Sequence, residues 1–406
     1  AHLSGGERLV MTAIVSPRAS SQTSRPSATA PGLRPGLRVA LVHDWLTGMR
    51  GGERTLDAIC ELFPDAHRFT LLHVPGSVSP TIEAGPMYTS FIQRLPLAAR
   101  YYRPLLPLFP AAIEQFDLDA FDVVISSSHC AAKSAIPTGR ARHLSYCFTP
   151  MRYAWDQFDA YFGPARVGPV ASRVFRWGLS AMARWDVSTA GRVDRYVAIS
   201  QYVAGRIRRY YNRAASVVHP PVDTAFFHPS GRPSDGYALI VSALVPYKHV
   251  DLAMRACARA GVPLRVVGTG PDAARLREEA QPGVEFLGAL SDEQVRTAYQ
   301  GAAAVLLPGT EDFGIAPVEG QACGRPVVAL RHGGACETVV DGVTGMLVPE
   351  ATDAAFADAI HQVVHGSFDP DAIRRHALGF SRERFQNELR AQIGELMARP
   401  TESVAS

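Results

Sequence analysis

From Leu37 onward, short unbroken apolar runs alternate with stretches where apolar residues recur every three or four positions. RVALVH (38–43) predicts a buried strand. A loop from Gly48 to Gly52 follows, then a helix from Glu53 to Phe63 that stops before Pro64. FTLLHV (69–74), DVVISSS (122–128), HLSYC (143–147) and YVAIS (196–200) predict further strands, with helical patterns over 171–190 and 201–211. FHPSGRPSDG (227–236) is rich in Pro, Gly and Ser and reads as a linker. Beyond it the alternation restarts, with strands at 237–242, 264–268, 284–287, 303–307, 327–330 and 346–348.

Unbroken Val/Ile/Leu strands separated by helices predict parallel sheets covered on both faces. The pattern therefore predicts two doubly wound, Rossmann-like α/β domains, 37–226 and 237–379. A C-terminal segment, 380–406, carries a helix to about 398 that packs back toward the first domain. Residues 1–36 are rich in Ser, Pro, Thr, Arg and Ala without apolar periodicity, and read as a disordered tail. In doubly wound sheets ligands sit beyond the carboxyl ends of the strands, so the crevice between the domains is the expected site.

Composition narrows the function classes. Nearly half of the 406 residues are hydrophobic, enough for a large core, yet no run of about 18 apolar residues predicts a membrane-spanning helix. A net charge of +3 argues against a dedicated nucleic-acid binder. The six cysteines, Cys60, Cys130, Cys147, Cys257, Cys323 and Cys336, form no CxxC pair and are expected as buried thiols of a cytoplasmic protein. Basic residues are almost all arginine, which singles out the two lysines, Lys133 and Lys248.

The strand AAAVLLP (302–308) leads into GTEDFGIAPVEGQACGRP. Pro317 suits a helix start, and Gly324 with Pro326 its stop, predicting a short helix over about 317–323. Its free N–H groups and positive dipole end favour phosphate. Glu311 falls on the preceding loop and Glu319 in the first turn, where carboxylates can accept hydrogen bonds from sugar or ribose hydroxyls. Ordinary capping charge is the plain alternative for Glu319.

Glu311, Phe313, Gly314, Pro317 and Glu319 match the E-x7-E pattern of family 4 glycosyltransferases of the GT-B fold. The resemblance runs from 38 to about 390, through GGER (51–54), ISSSH (125–129), VVHPPVD (217–223), VPYKHVDLA (245–253), VGTGP (267–271), VEFLGALSDEQV (284–295) and GGACETVVDGVTGMLV (333–348). HDWLTGMRGGER and YCFTPMRYAWD (146–156) are similar to a bacterial polysaccharide-assembly subgroup that includes many mannosyltransferases.

The resemblance implies a retaining transferase that moves a hexose, mannose from GDP-mannose in the first instance, without a metal or other cofactor. A UDP-sugar donor is the alternative. Gly51, Gly52 and Gly268, with the backbone of Phe313, Gly314 and Ile315, would line the donor; His129 would hold a sugar hydroxyl. Lys248 would neutralise the leaving diphosphate, Glu311 would hold the donor sugar and Glu319 the ribose. The family's usual arginine ahead of the lysine is replaced by Ala243, leaving one phosphate cation unaccounted for. Front-face attack is implied, with the leaving phosphate taking the acceptor proton.

Tyr153, Trp155 and Asp156 are candidates for a saccharide or polyprenyl-linked acceptor, with core packing of Trp155 as the alternative. Segment 91–109 mixes arginines, tyrosines and leucines; it suits either a peripheral contact at the inner membrane face or a proline-interrupted helix pair on the first domain. Asp117-Leu118-Asp119 precedes a strand rather than following one, and reads as a solvated entrance, not a metal site. GTGP (268–271) lacks the third glycine of a dinucleotide fingerprint. An epimerase or phosphorolytic enzyme on the same fold, and a non-catalytic sugar-nucleotide or glycan-binding subunit, are the rival readings.

Overall fold

The computed structural model describes residues 36–398 apart from 138, 156, 157, 159–161 and 165–167. Nearly all of the expected tail, 1–36, and residues 399–406 lie outside the described residues.

The first half builds a seven-stranded sheet: β1 (Val39–His43), β2 (His67–Thr70), β3 (Met87–Thr89), β4 (Val123–Ser128), β5 (Arg142–Cys147), β6 (Arg195–Ala198) and β7 (Ala215–Val217). The strands pair in parallel in the order β3-β2-β1-β4-β5-β6-β7. The second half builds a six-stranded parallel sheet from β8 (Tyr237–Val241), β9 (Leu264–Val267), β10 (Val284–Gly288), β11 (Ala302–Leu307), β12 (Val327–Leu330) and β13 (Gly345–Val348). Its order is β10-β9-β8-β11-β12-β13. Both orders reverse direction once, between β1 and β4 and between β8 and β11. At such a switch point the loops leaving neighbouring strands diverge to opposite faces and open a crevice.

The helices needed below are α1 (Gly51–Leu62), α2 (Pro169–Ser188), α3 (Gln201–Tyr211), α4 (Asp292–Gly301), α5 (Ile315–Ala322) and α6 (Arg382–Ala398). Helix α6 returns to the first sheet. Phe385, Leu389, Ile393 and Leu396, spaced on one helical face, are buried there, and Phe385 meets Tyr146 of β5 edge-on at 5.4 Å. Burying each such side chain contributes roughly 1.5–3 kcal/mol. Arg382 adds ion pairs to Asp57 and Glu61 of α1.

Three local expectations change. Strand β2 ends at Thr70 rather than 74, because the chain turns to bond the loop after β1: Leu46 N–H donates to Leu72 O at 2.8 Å and Val74 N–H to Leu46 O at 2.9 Å. The edge strands β3 and β7 have three residues each, too few to show a period in the sequence. Cys336 is exposed, unlike the other five cysteines, on the one-turn helix Ala335–Thr338.

Segment 91–109 forms short helical turns. Ile92, Ala98, Tyr102 and Phe109 pack inward, while Leu97, Tyr101 and Leu108 remain exposed. No helix among the described residues is long and apolar enough to cross a membrane.

Candidate active site

The two switch points face each other, and they gather most of the singled-out side chains. In the first domain Asp44 directly follows β1 and His129 directly follows β4. The Asp44 carboxylate is fully buried. It accepts hydrogen bonds from the backbone N–H groups of His129, Cys130, Ala131 and Ala132 at 2.6–3.0 Å. It also lies 3.1 Å from His129 Nδ1. Burial alone would raise its pKa; the His129 ring and the converging N–H groups outweigh that and hold it below the usual carboxylate range. Trp45 meets the His129 ring edge-on at 4.5 Å. The imidazole is thus fixed by one nitrogen and one face while remaining a third exposed.

In the second domain Lys248 closes a 3₁₀ turn, Pro246–Lys248, just after β8, and Glu311 lies on the loop after β11. The Lys248 ammonium and the Glu311 carboxylate are in direct contact. Burial, and after it the Arg152 charge, pushes the ammonium down from its ordinary pKa, against the opposing charge of Asp312. Gly309 permits this approach, since a Cβ there would strike the carbonyl of Tyr247.

Helix α5 starts at Ile315, two residues earlier than expected. Gly314, at φ 94°, makes the entry turn, and Pro317 occupies the third helical position, where no N–H is needed. Glu319 therefore falls in the second turn rather than the first, and points at α4: Tyr299 O–H donates to its Oε2 at 3.0 Å. Burial raises the Glu319 carboxyl to about 7 against the opposing charge of Arg54. Arg54, in the GGER segment of α1, spans the crevice to Asp292 of α4 at 2.6 Å. A cavity of about 230 Å³ opens here, floored by Glu319 and walled by Gly51, Ile315 and Phe227. A Cβ on Gly51 would lie 2.9 Å from Ile315 Cδ1, the tip of a side chain that could shift to admit it.

The remaining expected residues separate. Gly52 packs ordinarily against Phe148 and His43. Gly268 donates its N–H to Gly288 O at 2.7 Å, and a Cβ on it would collide with Ser242 O; its requirement is met by packing. The Phe313 ring is buried, stacked on His219 at 5.4 Å and edge-on to Phe380 at 5.6 Å. Trp155 donates its indole N–H to Asp186 at 2.9 Å and stacks on Tyr210 at 4.7 Å, so packing accounts for it. The Tyr153 side chain and Asp156 lie outside the described residues. Lys133 forms a buried pair with Asp186 at 3.0 Å, away from the crevice.

Sequence reasoning missed the groups that tie the domains together. Asp312, beside Glu311, receives Arg152 Nε at 2.9 Å and Arg206 Nη1 at 3.0 Å, both from the first domain. Glu337 accepts from the first two N–H groups of α3, Gln201 at 2.8 Å and Tyr202 at 3.1 Å, and from His219 at 3.1 Å. It caps a helix of the opposite domain. Both carboxylates stand inside the quoted motifs, but nothing in a single sequence names a partner more than a hundred residues away.

Comparisons with known proteins fit this geometry. Residues 49–226 match the family described as Glycosyltransferase Family 4. Residues 223–379 match Glycosyl transferases group 1. Together the two matches run from residue 49 to 379, and both models describe glycosyltransferases. Among curated relatives of this chain, a D-inositol 3-phosphate glycosyltransferase of Mycobacteroides abscessus is 31% identical over 240 residues, covering 53% of this chain and 52% of the relative. One from Acidothermus cellulolyticus is 30% identical over 282 residues, covering 54% and 62%. The chain thus spans about half the length of the curated relatives it matches. The Anabaena protein HepE in complex with UDP superposes with a TM-score of 0.66 at 16% identity, covering 88% of this chain and all of that one. The lipopolysaccharide outer core galactosyltransferase WaaB gives 0.60 at 17%, covering 88% and 99%. These likenesses establish the GT-B fold.

Proposed function

We propose that this transferase moves a hexose from a nucleoside-diphosphate sugar to a saccharide or lipid-linked saccharide, with retention at the anomeric carbon. The reading rests on the groups at the two switch points: a carboxylate–ammonium pair, Glu311 and Lys248, after the strands of the second sheet, and a fixed imidazole, His129, after a strand of the first. A cavity floored by Glu319 lies between Gly51 and Arg54 of the first domain and Ile315 and Asp292 of the second.

Bound donor would replace the contact between Lys248 and Glu311. The ammonium would turn to the diphosphate and the carboxylate to the sugar hydroxyls. Glu319 would take the ribose, and the N–H groups at the start of α5 the phosphate. His129, held by Asp44, would position the hexose. The leaving phosphate would take the acceptor proton, so the protein's contribution is orientation and electrostatic stabilisation of the departing diphosphate.

GDP-mannose is the donor favoured by the subgroup resemblance. HepE has been solved with UDP and with UDP-glucose, which makes UDP-hexoses the competing donors. The exposed side chains of 91–109 would rest on the membrane that carries a lipid-linked acceptor. Incubation with GDP-mannose or UDP-glucose and saccharide acceptors, followed by NMR of the new linkage, tests the reaction. An inverted anomeric configuration contradicts the mechanism, and product formed without acceptor favours an epimerase.

A further inference from the structure

Helix α2 carries apolar residues on both of its faces. Leu179 and Met182, with Ser172 and Asp186, are buried against the first domain. Val170, Val174, Trp177 and Ala181, spaced at i, i+4, i+7 and i+11, form one stripe on the opposite side. All four are exposed, Val170 at 78% and Trp177 at 75%. A helix on the surface of a protein surrounded by water turns such a stripe toward the core, and an exposed one marks a contact. We propose that α2 docks the protein on an anionic lipid surface, lying in the interface plane with this stripe inserted and Arg173 and Arg184 at the headgroups. The proposal rests on the lipid-linked acceptor of the reading above, and extends the contact from 91–109 to a helix that has no part in the crevice.

Charge names the occupant. Between Asp159 and Asp186 the sequence has four arginines and no acidic residue. Arg173 and Arg184 are exposed and adjoin the stripe, four positions before Trp177 and three after Ala181. Guanidinium groups beside tryptophan and valine suit a boundary where phosphate headgroups meet acyl chains. No helix among the described residues is long and apolar enough to cross a membrane, so α2 would rest on a bilayer and not span it. A second copy of the chain fits less well, because a two-fold contact would set the arginines beside one stripe against those beside the other.

Two further observations agree. Segment 91–109 repeats the composition, with Leu97, Tyr101 and Leu108 exposed, three arginines and no acidic residue. It and α2 pack on one hydrophobic cluster, which holds Tyr102, Phe109 and Met182. The stripe is also carried on a firmly held helix. At its inner end Asp186 accepts the Trp155 indole N–H at 2.9 Å and the Tyr211 O–H at 2.8 Å, and Trp185 donates to Glu114 at 3.0 Å. A preformed helix binds without first meeting the cost of ordering itself.

Cosedimentation of the full chain with vesicles of phosphatidylcholine alone, or of phosphatidylcholine and phosphatidylglycerol in equal parts, tests the proposal. Wild type should partition onto the anionic vesicles and far less onto the neutral ones. Trp177→Ser should weaken that partitioning roughly tenfold, the worth of burying one large apolar side chain. Arg173→Gln combined with Arg184→Gln should weaken it by a similar factor on anionic vesicles and change nothing on neutral ones. Trp177 is the most exposed of the four tryptophans, so wild-type fluorescence should shift to the blue on anionic vesicles. Trp177→Phe should keep the partitioning and lose the shift. The thermal midpoint of each variant should match wild type, since the substituted side chains are exposed. Wild type that ignores anionic vesicles overturns the proposal, as does Trp177→Ser that partitions like wild type. A dimer that Trp177→Ser abolishes and that anionic vesicles do not compete with assigns the stripe to a second copy and overturns it too. Anionic partitioning by a chain that transfers no hexose from any nucleotide sugar upholds the docking surface and contradicts the donor reading alone.

Discussion

His129 and Asp44 leave neighbouring strands at the switch point of the first sheet, and the Asp44 carboxylate holds both the His129 ring, at 3.1 Å, and the turn that carries it. Asparagine at 44 would put an NH₂ group against backbone donors. Asp44→Asn should therefore cost about 2–4 kcal/mol in urea unfolding. The folded-state pKa of Asp44 lies below its unfolded value of 3.8. Its stabilisation is thus complete above that value and is lost only as pH falls through the lower, folded pKa. The loss in Asp44→Asn should be constant from pH 5 to 8; a loss that grows with pH contradicts the assignment.

Glu319 has the opposite sign. Its folded pKa, about 7, lies above the ordinary 4.5. Its contribution is fully present below the unfolded pKa and fades as pH rises through 7. Ligand-free wild type should lose at most about 3 kcal/mol relative to Glu319→Gln between pH 4 and 9. Hydroxyl binding needs the carboxylate, so affinity for the nucleotide sugar should rise about tenfold from pH 6 to 8 in wild type and stay flat in Glu319→Gln.

Glu311 and Lys248 touch each other but are assigned to different parts of the donor. Glu311→Gln should bind the free nucleoside diphosphate at least as tightly as wild type, while gaining no affinity from an attached hexose. Lys248→Ala should lose diphosphate affinity by roughly ten- to hundredfold. Calorimetry with the diphosphate and its hexose ester separates the two; the same defect in both variants would refute the division.

Glu337 joins the domains by capping α3. Burial raises its pKa but is outweighed by His219 and the two N–H donors, which hold it low. Glu337→Ala should lower stability by about 1–2 kcal/mol in thermal unfolding. A change within a few tenths would mean that the capping contributes nothing across the domain boundary.

Much of the fold was readable because buried parallel strands show as apolar runs; β8 and β11 are such runs, β1 is one up to His43, and β4 opens on one. What escaped was short or non-local. Strands β3 and β7 have too few residues for a pattern. Pro317 reads as the entry to α5, but Gly314 makes the turn. Lys248 and Glu311 were legible through motif and position, but their mutual contact was not. Asp312 and Glu337 acquire meaning only from arginines and helix termini of the other domain, and Trp155 proved to be held by a distant aspartate. Pairings across the crevice are set by the closing of two separately folded sheets, which no local spacing encodes.

The central claim is that a nucleotide sugar occupies the crevice, with its ribose on Glu319. Thermal unfolding of wild type and Glu319→Gln at pH 8, with GDP-mannose, UDP-glucose and the corresponding free sugars, tests it most directly. Ligand that binds only the native state must raise the midpoint. One nucleotide sugar should raise the wild-type midpoint by several degrees, the free sugars should not, and Glu319→Gln should respond far less. An equal rise in both proteins, or none with either nucleotide sugar, would contradict the account.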